Sequence, residues 1–119
     1  EHASPPSLSM STAIERLEAV KHQLWNRSIP AMIGAYFDDM AQVLRGLESS
    51  LRPQGRVYMV VGDSRYAHID IPVARILGEQ APALGFHVLS SEPFRSMRAS
   101  PQQGGQSELP ETLVVLAKL

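Results

Sequence analysis

The stretch Val57-Tyr58-Met59-Val60-Val61-Gly62-Asp63-Ser64-Arg65-Tyr66 (VYMVVGDSRY, residues 57–66) decides the fold. From Arg56 to Val61 it turns continuously apolar instead of alternating. That pattern predicts a strand covered on both faces, as in a parallel sheet with helices on each side. Gly62 ends the run, and Asp63-Ser64 then stand where the strand stops. Two readings compete for that pair: a nucleophilic serine, or the polar rim of a ligand-binding sheet.

Upstream, residues 1–8 (EHASPPSL) hold two prolines and few anchors, and read as a loose lead-in. Thr12 and Glu15 fit a capping box. Ile14, Leu17, Val20 and Leu24-Trp25 follow at helical spacing, predicting a helix over 12–25 with Trp25 in the core. Asn26-Arg27-Ser28 breaks it, with Ser28 as cap and Pro30 in the first turn of a second helix. Met32, Ile33, Tyr36, Phe37, Met40, Val43, Leu44, Leu47 and Leu51 give that helix one broad apolar face. Asp38 and Asp39 project about 100° apart and read as a solvated face, not a carboxylate pair.

Arg52-Pro53-Gln54-Gly55 is a stop and turn. Downstream of the central stretch, Asp70 is placed to cap a third helix with Pro72 in its first turn. Pro82 should kink that helix and Gly85 end it. Phe86–Ser90 and Thr112–Leu116 read as strands, separated by a polar loop over 95–110. The order is helix-helix-strand-helix-strand-strand, an α/β arrangement whose strand–helix–strand part is a right-handed crossover joining parallel strands.

Composition bounds the function. At 119 residues the chain supports one domain with a modest core. A net charge of −1 argues against a strongly basic nucleic-acid clamp, leaving room for a local basic patch. The chain has no cysteine, which removes disulfides, thiol catalysis and Cys-based zinc sites. His2, His22, His68 and His87 show no ligand spacing, so no metal is expected. No apolar run is long enough to span a membrane, no signal peptide is visible, and a cytoplasmic location is the default. The chain begins Glu1-His2-Ala3 without an initiator Met, as a trimmed product or part of a longer protein would.

Gly62-Asp63-Ser64 resembles the way GDSL-type esterases present their serine. That chemistry needs a base, an orienting acid and oxyanion donors. Neither His68 nor His87 has an Asp three residues before it, and Asn26 is the single Asn, so the family's partners are missing.

A wider resemblance runs over residues 12–119. The segments AYFDDMAQVLRGLESSLRPQGRVYMVVGDSRYAHIDIPVARILGEQAPALGF (35–86), EPFRSMRASPQQGG (92–105) and LPETLVVLAKL (109–119) carry it. They resemble the back half of a class I S-adenosylmethionine-dependent methyltransferase, most closely the bacterial DNA amino-methyltransferases of adenine or cytosine. The resemblance implies a partial Rossmann-like sheet: the fifth strand, a helix, the sixth strand, and an antiparallel seventh strand inserted between them. Ligands in such sheets sit beyond the carboxyl ends of the parallel strands. Asp63, Ser64, Arg65 and Tyr66 would then lie near the target base, either touching it or merely capping the local turn. Arg95, Arg98, Gln102 and Gln103 would contact nucleic acid from the neighbouring loop, arginine on phosphate and glutamine on base edges.

The family's cofactor turn is missing, since no strand here leads into Gly-x-Gly. Ser4-Pro5-Pro6-Ser7 imitates the catalytic tetrad, but no apolar strand precedes it and Ser7 replaces the aromatic. The expectation is a half-enzyme with no cofactor or catalytic site of its own. Its open edge at 56–61 would be covered by a second copy or by a companion chain bearing the front half. The alternatives are a small homodimeric binding protein that keeps the half-fold, and, more remotely, the serine hydrolase.

Overall fold

The computed structural model describes residues 3–98 and 108–119, with α1 over Leu8–Ala19, α2 over Ile29–Ser50 and α3 over Val73–Gln80. The strands are β1 (Arg56–Gly62), β2 (Ser64–Tyr66), β3 (Ile69–Ile71), β4 (Phe86–Arg98) and β5 (Glu108–Lys118). Strands β1, β5 and β4 form one sheet in that order, and β2 and β3 form a separate hairpin. Strand β5 is antiparallel to both neighbours, so β1 and β4 point the same way without touching. The inserted, reversed C-terminal strand is as expected; every pairing among the described residues is antiparallel.

The first helix starts earlier than its capping-box reading. Ser7 is the N-cap, its Oγ accepting from the Met10 N–H at 3.1 Å, and Thr12 lies inside the helix. The lead-in is anchored, not loose: the Ser4 N–H donates to Asp38 Oδ1 at 2.9 Å, and Gln80 Nε2 donates to the Pro5 carbonyl at 2.8 Å. Helix α1 stops at Ala19, and a 3₁₀ turn over Lys21–Gln23 follows. The change of period takes Trp25 off the buried side, and it is 61% exposed, correcting the core assignment. Ser28 makes no side-chain cap; Asn26 Oδ1 instead accepts from the Ser28 N–H at 2.8 Å.

Helix α2 buries Ile29, Phe37, Ala41 and Leu44, a narrower face than its sequence promises. Met32, Tyr36, Val43 and Leu47 are exposed. Strand β1 also departs from expectation. Val61 is buried while Tyr58 and Val60 are 62% and 53% exposed, so the strand is covered on one face only. The covered face carries Val61, Val114 and Leu116 in the main core with Ile76, Leu77 and Phe86. Helix α3 lies over it: a Cβ built on Gly78 would stand 3.8 Å from Val88 Cγ2. Period-two alternation then puts Tyr58 and Val60 on the opposite face, with no helix over them among the described residues.

Between β1 and α3 the chain makes the β2–β3 hairpin instead of running straight into a helix. Asp70 belongs to β3 and pairs with Arg65 across the hairpin, so it is not the helix cap. The two-residue turn is Ala67-His68, both at positive φ (49° and 64°). Helix α3 ends as expected: Pro82 sits in a 3₁₀ turn over Ala81–Leu84, and Gly85 terminates it at φ 92°.

The stretch over 95–110, expected as a polar loop, is strand at both of its ends. Strand β4 continues through Arg98 and β5 begins at Glu108, because the two strands go on pairing beyond the end of β1. Pro93 is accommodated because β4 is an outer strand and its register with β5 shifts between Pro93 and Arg95. No helix among the described residues is long and apolar enough to cross a membrane.

Candidate functional site

The carboxyl end of β1 runs directly into a cavity of about 330 Å³. Helix α2 supplies Met32, Ile33, Tyr36 and Phe37 to its wall; Gly62 and the hairpin's Ser64, Tyr66 and Ile71 supply the rest, with Val73. Each is there for a local reason. Helical steps of one and four bring 32, 33, 36 and 37 to adjoining faces. Alternation along the three residues of β2 sends Ser64 and Tyr66 to the same side. Tyr36 and Phe37 meet edge to face, with ring centroids 4.9 Å apart.

The lining carries no carboxylate, imidazole or ammonium. Its polar groups are the Ser64 hydroxyl and the phenols of Tyr36 and Tyr66, which donate and accept without charge. Burial raises the Tyr36 pKa, so that phenol stays protonated at neutral pH. A mostly apolar wall with three neutral polar groups suits a flat ring or an apolar side chain. No hydrogen bond joins Ser64 Oγ to a histidine among the described residues.

Asp63 stands behind this wall. Burial raises its pKa first and Asp70 raises it further, opposed by the Ala74 and Val73 N–H groups that bond its carboxylate. Those donors are in the first turn of α3, so Asp63 caps that helix from a distant part of the chain. Its Oδ1 is buried without a partner. Of the four rim residues expected near a ligand, Ser64 and Tyr66 line the cavity, Asp63 is a cap, and Arg65 is engaged by Asp70.

Arg95 is likewise engaged: it bonds Glu111 on the neighbouring strand, and its guanidinium lies 5.6 Å from the Phe94 ring centroid. Arg98 ends β4 opposite Glu108 in register. Gln102 and Gln103 lie outside the described residues, as do Gly104 and Gly105. Met32 and Tyr36 escaped the sequence reading because a helix face that looks like core gives no sign that part of it is open.

A second hollow of about 270 Å³ lies between α1 and the start of α3, with Arg16, Arg75, Ser9, Thr12 and Asp70 on its rim. Beside it Glu79 ties α1 to α3. Its Oε1 accepts from Ser7 Oγ (2.6 Å) and the Ser9 N–H (3.1 Å), and its Oε2 from Ser9 Oγ (2.6 Å). The two hydroxyls, Ser7 first, hold its pKa down at about 2.

The chain shares 39% identity over 71 residues with the Type II methyltransferase M.AvaI of Nostoc sp. (strain PCC 7120 / SAG 25.82 / UTEX 2576). Over those residues it is related to a methyltransferase. The M.AvaI of Anabaena variabilis matches to the same extent. The aligned part is 60% of this chain and spans 15% of the length of these curated relatives. No family model matches the chain, and no solved structure matches it significantly.

Methyltransferases use S-adenosylmethionine as methyl donor. A close backbone approach to a ligand requires a glycine whose missing Cβ faces the ligand. The two glycines at which a Cβ would collide are Gly55, against Arg52 O at 2.9 Å, and Gly85, against Glu48 Cγ at 2.9 Å. Both are closed by the chain itself, whereas Gly62 lines the cavity at the end of β1. Among the described residues no group of His, Asp and Glu is arranged to hold a metal ion.

Proposed function

We propose that this chain is the back half of a class I, Rossmann-like methyltransferase sheet acting on an exocyclic amino group of DNA in the cytoplasm, and that it does not methylate alone. The observation that supports this best is the sheet order β1-β5-β4, with the C-terminal strand reversed and inserted. That arrangement, together with the 39% identity to M.AvaI, matches the reading of a fifth, sixth and inserted seventh strand.

In this reading the cavity at Gly62, Ser64 and Tyr66 faces the substrate side, and Ser64 and Tyr66 orient a base or its sugar. Arg98, Gln102 and Gln103 are the remaining candidates for touching DNA. Arg65 and Arg95 serve the module's own structure, because each is already paired with a carboxylate. The cofactor-binding turn and the catalytic tetrad come from a front half that this chain does not carry. That front half, in a companion chain or in the rest of a longer one, pairs with the free edge of β1 and covers Tyr58 and Val60.

The test is a chimera in which this chain replaces the matching segment of M.AvaI. S-adenosylmethionine binding within about threefold of the parent, and retained DNA methylation, are the expected results; a threefold change is well under 1.4 kcal/mol. A folded chimera that binds the cofactor and leaves DNA unmethylated contradicts the back-half assignment.

A further inference from the structure

The bend between α1 and α2 holds the chain's one tryptophan out in solvent. Trp25 is 61% exposed, yet the backbone that carries it is tied down. Leu24 on one side and Ile29 on the other are buried in the core. The Gln23 and Leu24 N–H groups donate to the Val20 and Lys21 carbonyls at 2.8 and 3.1 Å, and the Ser28 N–H donates to Asn26 Oδ1 at 2.8 Å. Between residues 21 and 30, Trp25 is the one apolar side chain left exposed, and Lys21, His22, Gln23, Arg27 and Ser28 are exposed around it. A rigid loop that displays a single indole in a polar surround is suited to binding, because little order is lost when a ligand arrives.

We propose that Trp25 stacks on an exposed base of the DNA substrate while Arg27 holds a neighbouring backbone phosphate. Charge chooses the partner. From Ala19 to Phe37 the chain carries Lys21 and Arg27 and no carboxylate. Lys21 is engaged by Glu18 at 3.2 Å. Arg27 has no ion-pair or side-chain hydrogen-bond partner among the described residues. A free guanidinium two residues from a solvent-facing indole offers what a nucleic-acid strand takes whatever its sequence: a phosphate clasp and a flat face for a base.

A protein partner would need a contiguous apolar patch around the indole. Leu24, Ile29 and Pro30, the residues that could widen one, are buried instead. Placement favours DNA as well. The loop leads straight into the wall of the cavity at the end of β1: Ile29 opens α2, and Met32 and Ile33 line the cavity. Ile29 to Met32 is about 5 Å along the helix axis at 1.5 Å per residue. A strand whose base enters that cavity therefore passes the end of α2 that Trp25 and Arg27 occupy. This deepens the proposed DNA function, on which it rests for the nature of the ligand.

Because Trp25 is the sole tryptophan, its fluorescence reports the contact directly. The whole chain is titrated with a twelve-nucleotide single strand and with the matching fully paired duplex. The single strand should quench Trp25 saturably and bind more tightly than the duplex, whose bases are already stacked on one another. With a dye-labelled strand read by anisotropy, Trp25→Ala should weaken binding about fivefold or more, the loss expected for one base–aromatic stack. Trp25→Phe should restore most of it. Arg27→Ala should weaken binding and lower the slope of log K against log salt by about 0.7, the value for one single-strand phosphate contact. Arg52→Ala makes the same charge change beyond the far end of α2 and should leave binding unchanged. Trp25 and Arg27 are exposed, so the melting temperature should stay the same in every variant. No saturable quenching, equal or tighter binding of the duplex, affinity that Trp25→Ala leaves intact, or an Arg27→Ala effect no larger than that of Arg52→Ala overturns the inference. So does a Trp25 emission that shifts with protein concentration alone, the mark of a second copy over the indole. None of these readouts needs S-adenosylmethionine or methyl transfer, so failure here leaves the chimera result intact, and a failed chimera leaves this contact standing.

Discussion

The Asp63 carboxylate is turned towards the Ala74 and Val73 N–H groups at the start of α3, although Asp63 itself sits before the β2–β3 hairpin. The end of β1 and the start of α3 are thereby held together, and the hairpin between them is pinned at both ends. Asp63→Ala should therefore cost about 1 kcal/mol, the usual loss for a helix cap. Urea unfolding measures it directly. An unchanged midpoint would mean that α3 does not rely on the bond.

Acid should act on this protein through Glu79 more than through Asp63. Glu79 has a folded-state pKa of about 2 against an ordinary value of 4.5. Its stabilisation is present above pH 4.5 and is lost as pH falls towards 2. Asp63 has a raised pKa, so its titration has the opposite sign: it favours the folded state at low pH and loses that contribution as pH rises through its folded value. Stability measured from pH 6 down to pH 2 should fall in the native chain and fall less in Glu79→Gln. Parallel curves would count against the tie to Ser7 and Ser9.

The hairpin turn stores strain. Ala67 and His68 both adopt left-handed backbone angles, which cost roughly 1–2 kcal/mol per residue for side chains other than glycine or asparagine. Ala67→Asn combined with His68→Gly supplies the residues that this turn type favours. The double variant should be more stable by about 1 kcal/mol. A lower urea midpoint would show that one of the native side chains holds the turn in place.

Gly46→Ala should stabilise the isolated chain by about 1 kcal/mol, since the added methyl meets nothing and helix propensity improves. Thermal unfolding should show a rise of several degrees for a domain of this size. No rise would imply that the position is already crowded in solution.

Much of the frame was legible because strong local signals set it. Pro30 at the start of α2 and Gly85 at the end of the α3 region act through backbone geometry alone, and both do as their chemistry suggests. The inserted, antiparallel β5 came from resemblance, and no periodicity argument would have placed it. The errors share a cause: each residue was judged as though the chain carried its own partners. Tyr58, Val60, Val43 and Leu47 read as core because they are apolar, yet burial depends on what lies opposite.

The site was legible in part. Ser64 and Tyr66 were expected at the rim, and they line the cavity. Arg65 was expected near the target base and Arg95 on phosphate, and the partners that hold them, Asp70 and Glu111, are set by strand register. Asp63 lies at a helix whose cap moved from Asp70 to Pro72 once β3 took Asp70. Such contacts follow from tertiary arrangement and leave no mark in local sequence.

The central claim is that this chain holds the back of a methyltransferase sheet and none of its cofactor site. Calorimetric titration of the purified chain with S-adenosylmethionine tests it most directly. The expected result is no saturable heat. Saturable binding at micromolar affinity would contradict the claim and place a cofactor site within these 119 residues.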